Sequence, residues 1–236
     1  MKRSEINGVM RDAMELMESK GFFLPPFAKW RPLDWETKGL ECSDIIGQQL
    51  GWDITDFGSG DYNKIGLLLF TTRNGTFEDL KRENGKIYAE KIMVVQPGQV
   101  TPTHFHYQKM EDIINRGGGT LRIRFWDSTS DERLGDRDVV VAADGVRRSL
   151  KAGGILDLCP GESVCIPQRT YHTFWGREGE GNILVGEVSR VNDDYVDNHF
   201  LDGTPRFANI DEDEEPLHLL FGDYERYYRH FAEVTK

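Results

Sequence analysis

The residues with the clearest chemistry lie in one stretch, PGQVTPTHFHYQKMEDIINRGGG, residues 97–119. In an extended strand side chains two apart share a face, so His104 and His106 project together. After the short stretch Tyr107 to Met110, Glu111 can bring an oxygen to the same point. Two imidazoles and a carboxylate converging from so short a segment are a way to hold a divalent metal. Six histidines in 236 positions give about 0.15 His-x-His pairs by chance, and requiring Gly98 and Gly118 at their observed offsets leaves roughly 0.002. The pattern therefore stands well above coincidence. Downstream, GESVCIPQRTYHTFWG offers His172 as a fourth ligand, just after a Pro-containing turn and inside an aromatic strand. His199, in a polar loop, and His218 and His230, on a C-terminal stretch of helical period, read as solvated or capping histidines.

A metal cage of this kind needs a scaffold, and the chain supplies β structure for it. From Ile65 onward short strands recur: Ile87 to Val95, Val100 to His106, Glu111 to Arg116, Leu121 to Trp126, Val139 to Ala142, Ile155 to Leu158, Ser163 to Ile166, His172 to Trp175 and Ile183 to Ser189. Gly- and Pro-bearing turns separate them, which implies a sandwich or barrel rather than a βαβ fold. Asn74-Gly75 reads as a hairpin turn. Before the strands, Ile6, Val9, Met10, Ala13, Met14 and Met17 form the stripe of a helix that Ser4 would cap. A short helix is expected from Ser43 to Leu50 and a loop from Gly51 to Lys64. At the other end Pro216 opens a helical stripe running through Leu217, Leu220, Phe221, Tyr224, Tyr227 and Tyr228, with the acidic run Asp211 to Glu215 just before it. The simplest organisation is one mainly β domain: a helical and irregular extension over 1–64, a β-barrel core over 65–200 and a helical extension over 201–236.

Composition narrows the class. Hydrophobic residues make up 38% and charged residues 29%, ordinary globular usage. Lys+Arg 29 against Asp+Glu 40 gives −11, and a net acidic surface disfavours nucleic acid as a partner. No apolar run approaches the roughly 20 residues a bilayer requires, so no membrane partner is expected. Three cysteines, an odd number without a CxxC pair, fit reduced thiols in a cytoplasm.

At the level of motifs the chain resembles the cupins. Gly98, His104-x-His106, Glu111 and Gly118 match the first cupin motif, and Gly161, Pro167 and His172 match the second. Arg169 stands where that second motif usually has Gly, and Gly176 where it usually has Asn. The resemblance implies a jelly-roll (double-stranded β-helix) barrel. A narrower resemblance runs through MKRSEIN, FFLPPFAKW, LGWDITDFGSGDYNKIGLLLFTTRNG, THFHYQKMEDIINRGGG and GEVSRVNDDYVDN, which are similar to the D-lyxose ketol-isomerase family. It implies an intramolecular oxidoreductase that interconverts D-lyxose with D-xylulose, often D-mannose with D-fructose, as a homodimer using a manganese-type divalent ion.

The residues suit such a reaction. Aldose–ketose isomerisation moves a proton between C1 and C2, and a metal helps by polarising the carbonyl and stabilising the enediolate. His104, His106, Glu111 and His172 would leave two octahedral positions for sugar oxygens, and the donor set suits Mn²⁺, with Co²⁺, Fe²⁺ and Ni²⁺ as alternatives. A base outside the cage is also needed. In ILVGEVS, alternation puts Ile183, Val185, Glu187 and Ser189 on one face; turned to a barrel lumen, Glu187 among apolar neighbours would have its pKa raised towards neutrality, whereas on an edge strand it would face solvent. Lys109, between the histidines and Glu111, can assist at the developing oxyanion, or can be a solvated loop lysine. Trp175 is expected to line the substrate pocket, and Asp197, with Asp194 and Asn198, to meet sugar hydroxyls. Two other readings remain open: an Fe²⁺ cupin dioxygenase and a sugar-binding cupin without catalysis.

Overall fold

The computed structural model describes residues 1–235. Its first element is helix α1 (Arg3–Ser19). The strands follow: β1 (Gly51–Thr55), β2 (Leu67–Arg73), β3 (Tyr88–Val95), β4 (His104–His106), β5 (Glu111–Gly117), β6 (Leu121–Trp126), β7 (Val139–Ala143), β8 (Val146–Leu150), β9 (Gly154–Leu158), β10 (Ser163–Ile166), β11 (Tyr171–Gly176), β12 (Ile183–Arg190) and β13 (Asn198–Phe200). They form two antiparallel sheets, one of order β1-β2-β3-β12-β5-β10-β7-β8 and one of order β13-β4-β11-β6-β9. The sheets face each other across Leu69, Met93, Ile113, Val185, Ile123, Phe125 and Phe174. This is the mainly β jelly-roll architecture that the motif resemblance implies.

The apolar runs LLLF and IMVV have a physical reason in this layering. Leu67 and Leu69, Met93 and Val95, and Ile183 and Val185 point between the sheets. Their neighbours Leu68, Phe70, Ile92, Val94 and Leu184 point outward, where Ile6, Met10, Ala13 and Met17 of α1 cover them. Strands buried on both faces lose the polar alternation of a half-exposed strand. On the inner face the same parity carries polar residues toward one end: Asp53, Lys91 and Glu187 share it with Leu69, Met93 and Val185.

Several local expectations are corrected. Residues 51–55, expected as loop, are edge strand β1, paired with β2. Asn74-Gly75 does not turn a tight hairpin; β2 and β3 do pair, but through a longer connection containing a helical turn at Phe77–Lys81. Helix α1 begins at Arg3, so Ser4 lies inside it. The C-terminal stripe is not one helix but short turns at Phe221–Asp223, Tyr224–Tyr227 and Phe231–Val234, because Trp35, Tyr224 and Tyr228 pack as an aromatic knot. The acidic run serves the other end of the chain. Asp213 accepts hydrogen bonds from Ser4 N and Oγ at 2.9 and 2.8 Å, and Glu212 and Asp223 grip the buried Arg3 guanidinium. Negative charge there complements the N-terminus of α1.

Candidate active site

The smaller sheet brings the imidazoles together by register. His104 on β4 lies directly opposite His172 on β11, and His106 follows two residues on, on the same face. Their ligand-capable nitrogens lie within 4.8 Å of one another, and all three side chains are buried. Glu111 arrives from the opposing sheet as the first residue of β5. Gly118, which ends that motif, has φ 114°, and a Cβ there would stand 2.1 Å from the Asn182 carbonyl oxygen, so glycine is required. Arg169 adopts φ 56°, the left-handed conformation that the usual glycine of the second motif provides. Its side chain lies over Phe105 and Tyr107 and pairs with Glu132.

The hydrogen bonds define which nitrogens are bare. His104 Nδ1 meets the Pro102 carbonyl at 2.8 Å and His172 Nδ1 meets the Thr170 carbonyl at 3.0 Å. A carbonyl only accepts, so each Nδ1 carries a proton, and in the neutral ring Nε2 is the nitrogen left with a lone pair. His172 Nε2 then lies 3.1 Å from Glu111 Oε1, and neither atom has a hydrogen-bond partner among the described residues. His106 Nε2 approaches the same oxygen at 3.4 Å. Two acceptors this close repel unless a cation lies between them, and ligands about 2.1 Å from a metal and at right angles sit about 3 Å apart. The donor set fits a divalent ion: His104, His106 and His172 form a group that could hold one, with Glu111 Oε1 beside it. Burial, then the neighbouring imidazoles, hold His104 well below the ordinary histidine range, and burial, then Lys109, lower His106. Neutral imidazoles are the form a metal requires.

Beside this cage lies a chain of charges. Lys109 Nζ is 2.8 Å from Glu111 Oε2 and 2.8 Å from Glu187 Oε1, all three side chains being buried. Burial acts to lower the Lys109 pKa, but Glu111 and Glu187 overcome it and raise it, so the group is an ammonium. Glu187 pairs in register with Lys91 and accepts a hydrogen bond from Ser189 Oγ at 3.0 Å. The expectation that its pKa is raised is corrected. Burial pushes it up, but Lys109 and then Lys91 outweigh that and lower it, because its neighbours on the inner face are ammonium groups as well as apolar side chains. Further along, Asp194 takes Lys91 Nζ at 3.5 Å and Arg206 Nη2 at 2.7 Å, and Arg206 also pairs with Asp53.

The cavity is lined by His104, His106, Glu111 and His172 at one end and by Lys91, Lys109, Glu187, Asp194, Asn198 and Arg206 beyond them, with Phe57, Phe174 and Phe200 as apolar walls. Trp175 and Asp197 do not line it. Trp175 has the opposite parity to His172 and Phe174, so it faces outward, against Arg124 and Arg122 at 5.5 and 6.0 Å. The Asp197 carboxylate is occupied by the backbone amides of Gln108 and Lys109. Lys91 and Arg206 were not singled out from the sequence. Lys91 carried a readable signal, a charge at the parity of Met93 and Val95 in an apolar strand; Arg206 carried none. His199, expected in a loop, lies on β13 and stacks on Phe105 outside the cavity.

Residues 1–224 match the family model for D-lyxose isomerase. The chain belongs to the D-lyxose isomerase family. Among curated relatives, the D-lyxose/D-mannose isomerase of Escherichia coli O157:H7 is 45% identical over 228 residues, covering 96% of this chain and 100% of that protein. The D-lyxose/D-mannose isomerase of Serratia proteamaculans is 43% identical over 228 residues, covering 96% and 99%. Membership makes the protein an enzyme, a sugar isomerase acting on a monosaccharide. Among solved structures, Cellulomonas parahominis L-ribose isomerase superposes with a TM-score of 0.60 at 14% identity, covering 89% of this chain and 98% of that one, a likeness of fold. Among the described residues no helix is long and apolar enough to cross a membrane.

Proposed function

We propose that this family member interconverts D-lyxose with D-xylulose, and D-mannose with D-fructose, using a divalent ion held by His104, His106, Glu111 and His172. The observation that carries the metal is the pair of unbonded acceptors, His172 Nε2 and Glu111 Oε1, 3.1 Å apart. When bound, the ion supplies a positive charge that stabilises the enediolate.

The chain's own residues do the rest. Glu187, a carboxylate outside the cage, removes the C2 proton of the open-chain aldose as the C1 carbonyl becomes an enediolate oxygen. Returning a proton to C1, with the O2 proton transferred to O1, yields the ketose. Lys109 Nζ, between Glu111 and Glu187, donates to the developing oxyanion and loses no contact in doing so, since it has three hydrogens. At the far end Arg206 Nη1 is buried without a partner among the described residues; with Asn198 and Lys91 it offers hydrogen bonds to the distal hydroxyls. Phe57 and Phe200, in edge contact at 5.6 Å, restrict water at the wall.

Mn²⁺ is the resident ion in this reading. A homodimer is supported by Phe23 and Leu33, 78% and 72% exposed beside the irregular aromatic segment, and a cytoplasmic location by three cysteines without a disulfide. The test follows D-lyxose and D-mannose in D₂O with metal-stripped and Mn²⁺-reloaded protein, under nitrogen, by NMR after a chelator quench. Reloaded protein should form ketose carrying deuterium, and stripped protein should not. A requirement for oxygen would favour an Fe²⁺ dioxygenase, and sugar binding without deuterium exchange would reduce the protein to a binding module.

A further inference from the structure

The connection from β4 to β5 carries Lys109 between two metal-cage elements, yet residues 107–110 belong to no strand. Their amides nevertheless have acceptors, and one residue supplies them. Asp197 Oδ1 accepts from Gln108 N at 2.7 Å, Asp197 Oδ2 accepts from Lys109 N at 3.1 Å, and the Asp197 carbonyl accepts from Tyr107 N at 3.1 Å. Three successive amides thus converge on a residue 88 positions away from Lys109. Asp197 is itself held by its N–H donating to the Asp193 carbonyl at 3.1 Å.

Asp197 is 1% exposed and has no ion-pair partner among the described residues. A buried carboxylate compensated only by amides is expensive to keep, and an apolar residue with a repacked loop would avoid the expense. What the carboxylate provides is a fork of two acceptors for two adjacent N–H groups, which an amide side chain cannot match because its nitrogen is a donor. The fork fixes the backbone at Lys109. From that backbone position the side chain places Nζ at 2.8 Å from both Glu111 Oε2 and Glu187 Oε1.

We propose that Asp197 is a positioning residue that acts through Lys109, holding its ammonium between the cage and the base. This rests on the isomerase reading above. The test is a double-mutant cycle with Asp197→Asn, Lys109→Met and the double variant, assayed with D-lyxose in Mn²⁺-loaded protein. Asp197→Asn should lower kcat by roughly 10- to 100-fold, the usual effect of losing a supporting hydrogen bond at a metal site, while KM and metal content stay within about threefold. In the Lys109→Met background the same change should have no further effect on kcat, because the group it positions is gone. Multiplicative losses in the double variant would overturn the proposal and leave the isomerase reading intact. An inactive wild-type protein would overturn both. Should Asp197→Asn fail to fold, amide hydrogen exchange in the wild type decides: Gln108 and Lys109 amides as protected as those of β5 support the fork, and loop-like exchange overturns it.

Discussion

The two ends of the cavity solve opposite electrostatic problems. At the imidazole end, His172 Nε2 and Glu111 Oε1 lie 3.1 Å apart, and neither has a hydrogen-bond partner among the described residues. At the other end, charges are matched within the protein, Lys91 with Asp194 and Arg206 with Asp194 and Asp53, and Lys109 links the two ends by pairing with both Glu111 and Glu187. Burial would raise the Asp194 pKa, but Arg206 and then Lys91 hold it well below the usual carboxylate range. The first end gathers donor atoms that suit a cation, whereas the second is preorganised by ion pairs within the fold.

The comparison breaks most visibly at the cage and the base. His106→Ala should bring metal content, measured by ICP-MS, to background, and kcat/KM should fall by at least about 10³-fold, the scale of losing electrostatic stabilisation of an oxyanion. Glu187→Gln should keep the metal and lower kcat by roughly 10²- to 10⁴-fold, the range for a proton-transfer group. A Gln variant that isomerises D-lyxose at the wild-type rate would remove Glu187 from the mechanism.

Stability should sort the two ends the other way. Arg206→Met leaves Asp194 and Asp53 with a missing partner in a buried setting, and breaking such a pair destabilises by about 3–5 kcal/mol. His106→Ala removes a side chain whose buried Nδ1 has no hydrogen-bond partner among the described residues, so urea unfolding of the metal-free protein should change by no more than about 1 kcal/mol. Equal losses from the two substitutions would show that the imidazole end is also part of what holds the fold together.

The same division explains what could be read from the chain. His104 and His106 share a face by strand period, and Glu111, five residues on, is reached by the short 107–110 connection that crosses to the opposing sheet, so their convergence is close to local. The charged end draws on Asp53, Lys91, Glu187, Asp194 and Arg206, from β1, β3, β12 and the segment beyond, and only the pairing of β12 with β3 brings Glu187 opposite Lys91. Periodicity puts Glu187 on the face of Ile183 and Val185, yet its pKa direction depends on Lys109 and Lys91, which no local pattern places beside it. The helix α1 stripe was legible because burial follows its own spacing. The C-terminal stripe misled because Trp35, Tyr224 and Tyr228 satisfy their burial in an aromatic knot rather than along one helix, a tertiary override of helical period.

Trp175 gives the finest test of where the cavity ends. It flanks His172 in sequence, but strand alternation turns its ring to the outer surface, over Arg124 at 5.5 Å. A cation–π contact at a partly exposed site contributes about 0.5–1 kcal/mol, and phenylalanine retains much of it. Trp175→Phe should therefore lower stability by less than about 1 kcal/mol in a urea titration. KM for D-lyxose should stay within about twofold, since a contact to the sugar from a ring of this size would be felt as tenfold for each 1.4 kcal/mol lost. A tenfold rise in KM with unchanged stability would place the Trp175 ring against the substrate and reverse its assignment to the outer face.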